Sequence, residues 1–179
     1  MQALGSLTPI PVAERPDLLA DPVRSALAQW PHVGHVGLVE IDPQLADTAA
    51  MTQAYDVPLT ASANCVVVMG RRGGEERVAA CVVRADMRAD VNNVVRRLLD
   101  VRKASFLSME RAVEEAEMEY GGITPIGVPG GWRILVAAEV IDIARAVIGS
   151  GVRRSKLVLP GALLGALPGA EVVADLGFS

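Results

Sequence analysis

Gly121-Gly122-Ile123-Thr124-Pro125-Ile126-Gly127, followed at once by Val128-Pro129-Gly130-Gly131, places five glycines and two prolines in eleven residues. Glycine permits positive φ and close backbone approach, whereas proline fixes φ and removes a donor. Such a segment cannot continue the Glu-rich helical run that precedes it. It makes a rigid loop whose backbone N–H groups are available to a ligand.

Other reactive residue types are sparse. His32 and His35 lie in a Pro-His-Val-Gly-His stretch with no further His/Cys cluster to complete a four-ligand set, so no metal site is expected. Cys65 and Cys81 sit in Val-rich apolar runs and read as buried structural thiols. Glu114, Glu115, Glu117 and Glu119 read as a solvated helix face rather than a pair of catalytic carboxylates. No catalytic triad and no phosphate loop is present.

A chain of 179 residues suits one domain with a sizeable core, and 51% hydrophobic with only 3% aromatic residues means a core of Val, Leu, Ile and Ala. The net charge of −4 means that a nucleic-acid partner needs a local basic patch. The N-terminus lacks the basic and apolar regions of a targeting peptide. Ile134–Ile148 is the most apolar long stretch, yet Glu139, Asp142 and Arg145 interrupt it, so no membrane span is expected. The expected location is the cytoplasm.

The elements that must position the loop follow from periodicity. Asp17–Trp30 has helical spacing, Val33–Ile41 suits a strand, and Asp42-Pro43 opens a second helix over Gln44–Tyr55. Ala63–Met69 and Val78–Arg84 read as a hairpin with a loop longer than the tightest turns. Helices are expected over Asp90–Leu99 and, capped by Ser108, over Met109–Glu119. Ser105–Leu107 is short and extended. Trp132–Ala137 is a strand, Val140–Ile148 fits either a strand or a short helix, and Lys156–Leu159 is a strand after a second loop, Gly149–Ser155. Pro160 opens a short helix, and Val172–Leu176 closes the chain. The fold class is α/β (α+β): a single domain with a curved mixed sheet surrounded by helices.

Three segments resemble the YbaK/ProX type of aminoacyl-tRNA editing domain, related to the insertion domain of bacterial prolyl-tRNA synthetase. Gly121–Gly127 is similar to the family's Gly-Gly-x-(Ser/Thr)-Pro-x-Gly loop. Gly149–Ser155 is similar to its Ser-Gly-Gly-Arg-Arg-Gly turn, and Leu157 through Asp175 resembles its closing strand, helix and Gly-Ala-x-Val-x-Asp end. The resemblance runs from about Gln44, leaving residues 1–43 as a helix–strand extension packed on an editing domain of residues 44–179.

The resemblance implies a deacylase that hydrolyses the ester of a small amino acid mischarged on tRNA, without a cofactor or metal. It implies tRNA, through its aminoacylated 3′ end, as partner, and an aminoacyl-tRNA synthetase as a further one. Ester hydrolysis builds negative charge on the carbonyl oxygen, and prepositioned donors stabilise it. Gly121, Gly122, Thr124 and Asn64 are the catalytic candidates, with Ile123, Pro125, Gly127, Ser150 and Gly151 lining the pocket. Arg153, Arg154, Arg102 and Lys103 are the candidates for tRNA phosphates; a solvated surface charge is the alternative for each. The family carries a lysine at the head of the first hairpin strand, where this chain has Asn64, which offers dipoles and no charge. Lys103 could supply a charge from another segment. The alternative function is a family member that keeps the pocket and binds aminoacyl-tRNA or a small ligand with weakened or lost turnover.

Overall fold

The computed structural model describes residues 2–179. Its strands form three sheets. An antiparallel four-stranded sheet has the order β1 (Ile10–Pro11), β2 (Gly37–Glu40), β9 (Ser155–Leu159), β8 (Ala146–Gly149). A mixed five-stranded sheet has the order β10 (Ala170–Val173), β7 (Arg133–Ala137), β4 (Glu75–Arg84), β3 (Ala63–Arg72), β6 (Ala104–Phe106). Strands β5 (Arg88–Ala89) and β11 (Gly177–Phe178) pair separately. The two large sheets touch where Ser62 bridges Val147. The mixed α/β class agrees with the sequence reading, and the sheet comes in two parts joined at that bridge.

Helix boundaries differ from the periodicity for local reasons. Helix α1 spans Asp21–Gln29, because Pro22 fits only a first turn; a helix begun at Asp17 would place it inside. Pro16–Leu18 forms only a 3₁₀ turn. The expected strand from Val33 begins at Gly37, after a 3₁₀ turn over Val33–His35. The Asp42 carboxylate accepts from Gln44 N at 2.9 Å and closes a short turn, so α2 begins only at Thr48 and runs to Tyr55. Val91–Val95 is a π-helical turn that runs into α3 (Arg96–Leu98). Helix α4 spans Met109–Ala116, ended by Glu117 at φ 53°, and Ser108 makes no side-chain cap bond. The ambiguous Val140–Ile148 stretch resolves into both forms, α5 (Ala138–Ile141) and then β8. Helix α6 is Gly161–Gly165.

The β3–β4 hairpin is tighter than expected. Arg71 pairs with Glu76 and Arg72 with Glu75, and the two-residue turn is Gly73 (φ 58°) and Gly74 (φ 83°). Two successive positive φ values match the twist of the strands, and glycine adopts them without strain.

Strand β9 is covered on both faces. Leu157 and Leu159 enter the main core with Leu38, Ile148 and Leu135. Val158 faces a second cluster with Val39, Met51 and Val147. Burying one such leucine contributes about 1.5–3 kcal/mol. No helix among the described residues is long and apolar enough to cross a membrane.

Candidate active site

A cleft of about 300 Å³ opens at the seam between the two sheets. One wall is the foot of β3, from Ser62 to Val66, and the opposite wall is Val147–Gly149 of β8. Ala46, Asp47, Thr48 and Met51 at the head of α2 close one end. Tyr120, Gly121 and Ile123 of the glycine loop close the other. Lys156 of β9 lines the cleft from within.

Lys156 is 5% exposed. It alternates with Leu157, so it lies on the face of β9 that carries Val158 and looks toward α2. Its ammonium donates to Ala46 O at 2.8 Å and to Gly121 O at 3.0 Å, which ties the α2 end of the cleft to the glycine loop. Removal from water pushes its pKa down to about 8; nearby Arg153 pushes the same way, and Asp47 opposes. From the sequence, Lys156 is only the first residue of a strand. In the sequence its only signal is a lysine heading the apolar run Leu157–Leu159.

Asn64 faces the cleft and accepts a hydrogen bond from Thr48 Oγ1 at 2.6 Å. Ser62 is 1% exposed, and its hydroxyl has no partner among the described residues. Cys65 also lines the cleft; burial raises both thiols, Cys81 to about 12, so neither favours the nucleophilic thiolate.

The glycine loop is positioned by tight backbone packing. A Cβ on Gly122 would lie 2.8 Å from Val152 backbone atoms, and one on Gly149 would lie 2.3 Å from Gly122 O. Gly122 N donates to Glu119 O at 2.9 Å, and Gly122 O accepts from Gly151 N at 2.8 Å. The expectation of a bare N–H at Gly122 is thereby corrected: its donor closes the turn. The Glu119 carboxylate accepts from Arg153 N at 2.6 Å, so it binds the neighbouring loop instead of extending a solvated helix face.

Only part of the expected constellation meets in the cleft. Gly121, Ile123 and Asn64 line it. Thr124 is fully buried outside its lining, and its hydroxyl has no partner among the described residues. Pro125 and Gly127 line a separate hollow of about 360 Å³ against α1, which shares no lining residue with the cleft. Ser150 is also fully buried: its hydroxyl lies 2.7 Å from that of Ser155, which donates to Leu18 O. Gly151 packs against Ala20. Ser150 and Gly151 therefore buttress the cleft from behind.

Arg153 stands at the rim, donating to Tyr120 O at 2.9 Å and Pro43 O at 3.1 Å, with its guanidinium 5.9 Å from the centre of the Tyr120 ring. Arg154 is exposed and donates to Asp17 O. Arg102 and Lys103 are exposed and precede β6, whose Ala104 pairs with Gly70, six residues along β3 from Asn64. At a rise of about 3.3 Å per residue, that is about 20 Å away, so Lys103 does not reach the cleft. His32 packs edge-on against Trp30, ring centres 5.4 Å apart, and no metal-binding cluster of three His, Cys, Asp or Glu occurs among the described residues.

A second groove, of about 560 Å³, adjoins the cleft and shares Asn64 and Val66 with it. Both phenylalanines of the chain line it, Phe106 at 61% and Phe178 at 49% exposure, together with Arg88, Asn92 and Asn93.

Comparison with solved structures supports this architecture. A protein described as a candidate trans-editing enzyme for prolyl-tRNA synthetase is similar at 20% identity and a TM-score of 0.72, over 87% of this chain and 94% of that one. A hypothetical protein, APE2540, is similar at 19% identity and a TM-score of 0.70, over 79% and 90%. A scaffold used for epitope grafting is similar at 19% identity and a TM-score of 0.73, over 87% and 95%. No curated protein matches the sequence. The family model described as the aminoacyl-tRNA editing domain matches residues 42–166, a stretch that includes the whole lining of the cleft. The chain belongs to the aminoacyl-tRNA editing domain family.

Proposed function

We propose that the protein is a trans-acting aminoacyl-tRNA deacylase that hydrolyses the ester of a small amino acid in the cleft between β3, β8 and the glycine loop. The observation that carries this reading is the composition of the cleft. Met51, Val66, Ile123, Val147 and Ile148 supply an apolar wall, and Asp47 and Lys156 supply charges of both signs. An aminoacyl ester presents the same three features: a side chain to be sized, an α-ammonium that suits the exposed Asp47 carboxylate, and a carbonyl to be polarised. The volume of about 300 Å³ accommodates an aminoacyl ester, and within it a single methylene discriminates by only about 1–3 kcal/mol.

The tRNA 3′ end reaches the cleft along the adjoining groove in this reading. Unpaired bases stack on aromatic faces, and Phe106 and Phe178 offer two. Arg153 at the rim is the candidate for a phosphate contact through the guanidinium edge not used on Pro43 O and Tyr120 O; Arg102 and Lys103 would meet tRNA only along a more distant part of the acceptor stem. A synthetase that mischarges the same tRNA is the natural partner for an enzyme acting in trans.

The test is release of amino acid from tRNAs charged with alanine, serine, cysteine and larger residues, with the proline acceptor among the carriers because of the similar trans-editing candidate. Hydrolysis confined to small amino acids is expected. Tight binding of the same substrates without release would instead support a binding protein.

A further inference from the structure

Lys156 is the one charged side chain that is buried among the described residues, and both of its hydrogen-bond partners are neutral carbonyl oxygens. No carboxylate forms an ion pair with it among those residues. An ammonium carries three donors, and two are directed at Ala46 O and Gly121 O. The third remains for the cleft that Lys156 lines. A buried, unpaired cation is costly to hold, and apolar residues occupy the neighbouring positions Leu157, Val158 and Leu159. The enclosed Ser62 hydroxyl, which lines the same cleft, is a second buried polar group without a partner among the described residues.

We propose that Lys156 is the catalytic electrophile of the cleft, donating its third hydrogen to the ester carbonyl oxygen as negative charge forms there. The assignment rests on the deacylase reading above, and it places the positive charge on β9 rather than at position 64. In the reaction, water oxygen bonds to the carbonyl carbon and the carbonyl π pair moves onto oxygen beside Lys156. Collapse of that adduct breaks the bond to the ribose oxygen. One water proton passes to the ribose oxygen and the other is released from the carboxylic acid. The products are free amino acid and tRNA with its hydroxyl restored.

The donor must stay protonated. The groups facing it are Asp47 before α2, Arg153 from the β8–β9 turn, Cys65 of β3 and Tyr120 of the glycine loop, and β8 contributes none. Burial and Arg153 hold the ammonium near the edge of its charged range, which makes activity sensitive to mild alkali.

The experiment compares wild type, Lys156→Met and Lys156→Gln in deacylation of the mischarged tRNA panel, with folding checked by thermal unfolding. Loss of a preorganised donor to an oxyanion lowers kcat by about a hundred- to a thousandfold. The expected result is that loss in kcat with KM little changed, and a wild-type kcat/KM that falls above about pH 8 after correction for spontaneous hydrolysis. Turnover within threefold of wild type in either folded variant overturns the assignment and leaves the deacylase reading intact. Should neither variant fold, the wild-type profile decides, and a kcat/KM still rising through pH 9.5 overturns it. A wild type that releases no amino acid from any tRNA of the panel removes the deacylase reading and this assignment with it.

Discussion

The Thr48 hydroxyl donates a 2.6 Å hydrogen bond to the side-chain carbonyl of Asn64, tying the first turn of α2 to the foot of β3 across the cleft. The bond fixes the amide so that its NH₂ end is left for a ligand. Thr48→Val removes the donor at nearly constant volume and leaves a half-buried carbonyl unpaired. The expected cost is about 1 kcal/mol, read as a fall in Tm of about 2–4 °C for a chain of this size.

Asn64→Lys introduces a second ammonium into the cleft that already holds Lys156. Like charges disfavour each other's protonated forms. The alkaline limb of the deacylation profile should therefore move to lower pH than in wild type, and a profile of kcat/KM against pH checks it. An unmoved limb would mean that the two positions do not sense one another.

Lys156 also sets a pH dependence of stability. Its pKa falls from 10.5 to about 8 on folding, so between those values the unfolded chain binds more protons than the folded one. Raising the pH through that window favours the folded state, by up to about 3 kcal/mol if the whole shift is expressed. Urea unfolding of wild type and Lys156→Met at pH 7.5 and pH 10 isolates the effect. Wild type should gain on the variant as pH rises.

Gly149→Ala and Gly130→Ala separate the two kinds of glycine near the site. A Cβ at Gly149 would lie 2.3 Å from Gly122 O and 2.6 Å from Ile123 O, whereas one at Gly130 meets nothing within 4 Å. Overpacking of this type costs about 1–3 kcal/mol, and here the displaced atoms belong to the loop that walls the cleft. Gly149→Ala should lose both Tm and turnover, and Gly130→Ala should leave both unchanged.

Phe106→Ala and Phe178→Ala should weaken tRNA binding with little effect on kcat. Loss of a stacking face costs about 1–3 kcal/mol per base, so KM for charged tRNA is expected to rise about tenfold or more. Phe106→Trp should retain binding. Equal binding by all three variants would remove the groove from the tRNA path.

Sequence reading reached the fold because its signals were local. The β-branched hairpin strands, the Pro160 helix start and the glycine loop all stand near where periodicity puts them. The site was only partly legible, because membership in the cleft depends on which elements cross at the seam. Gly121 and Asn64 meet there although separated widely in sequence, whereas Thr124, three residues from Gly121, is turned into the protein. Lys156 becomes recognisable as part of the site only when the packing of β9 between two apolar clusters shows that neither of its faces meets water. Ser150 failed for the opposite reason: a turn serine beside a glycine looks like a pocket residue, but its hydroxyl is enclosed with Ser155.

Ala20 N donates to Ser150 O, Arg154 donates to Asp17 O, and Ser155 donates to Leu18 O. Three residues that precede the family-matched stretch, Asp17, Leu18 and Ala20, thus hold the turn whose Gly151 N donates to Gly122 O. The segment before residue 42 is consequently part of the support behind the glycine-loop wall of the cleft. A fragment trimmed to residues 42–166 would keep every residue lining the cleft while losing the contacts that hold the 150–155 turn in place.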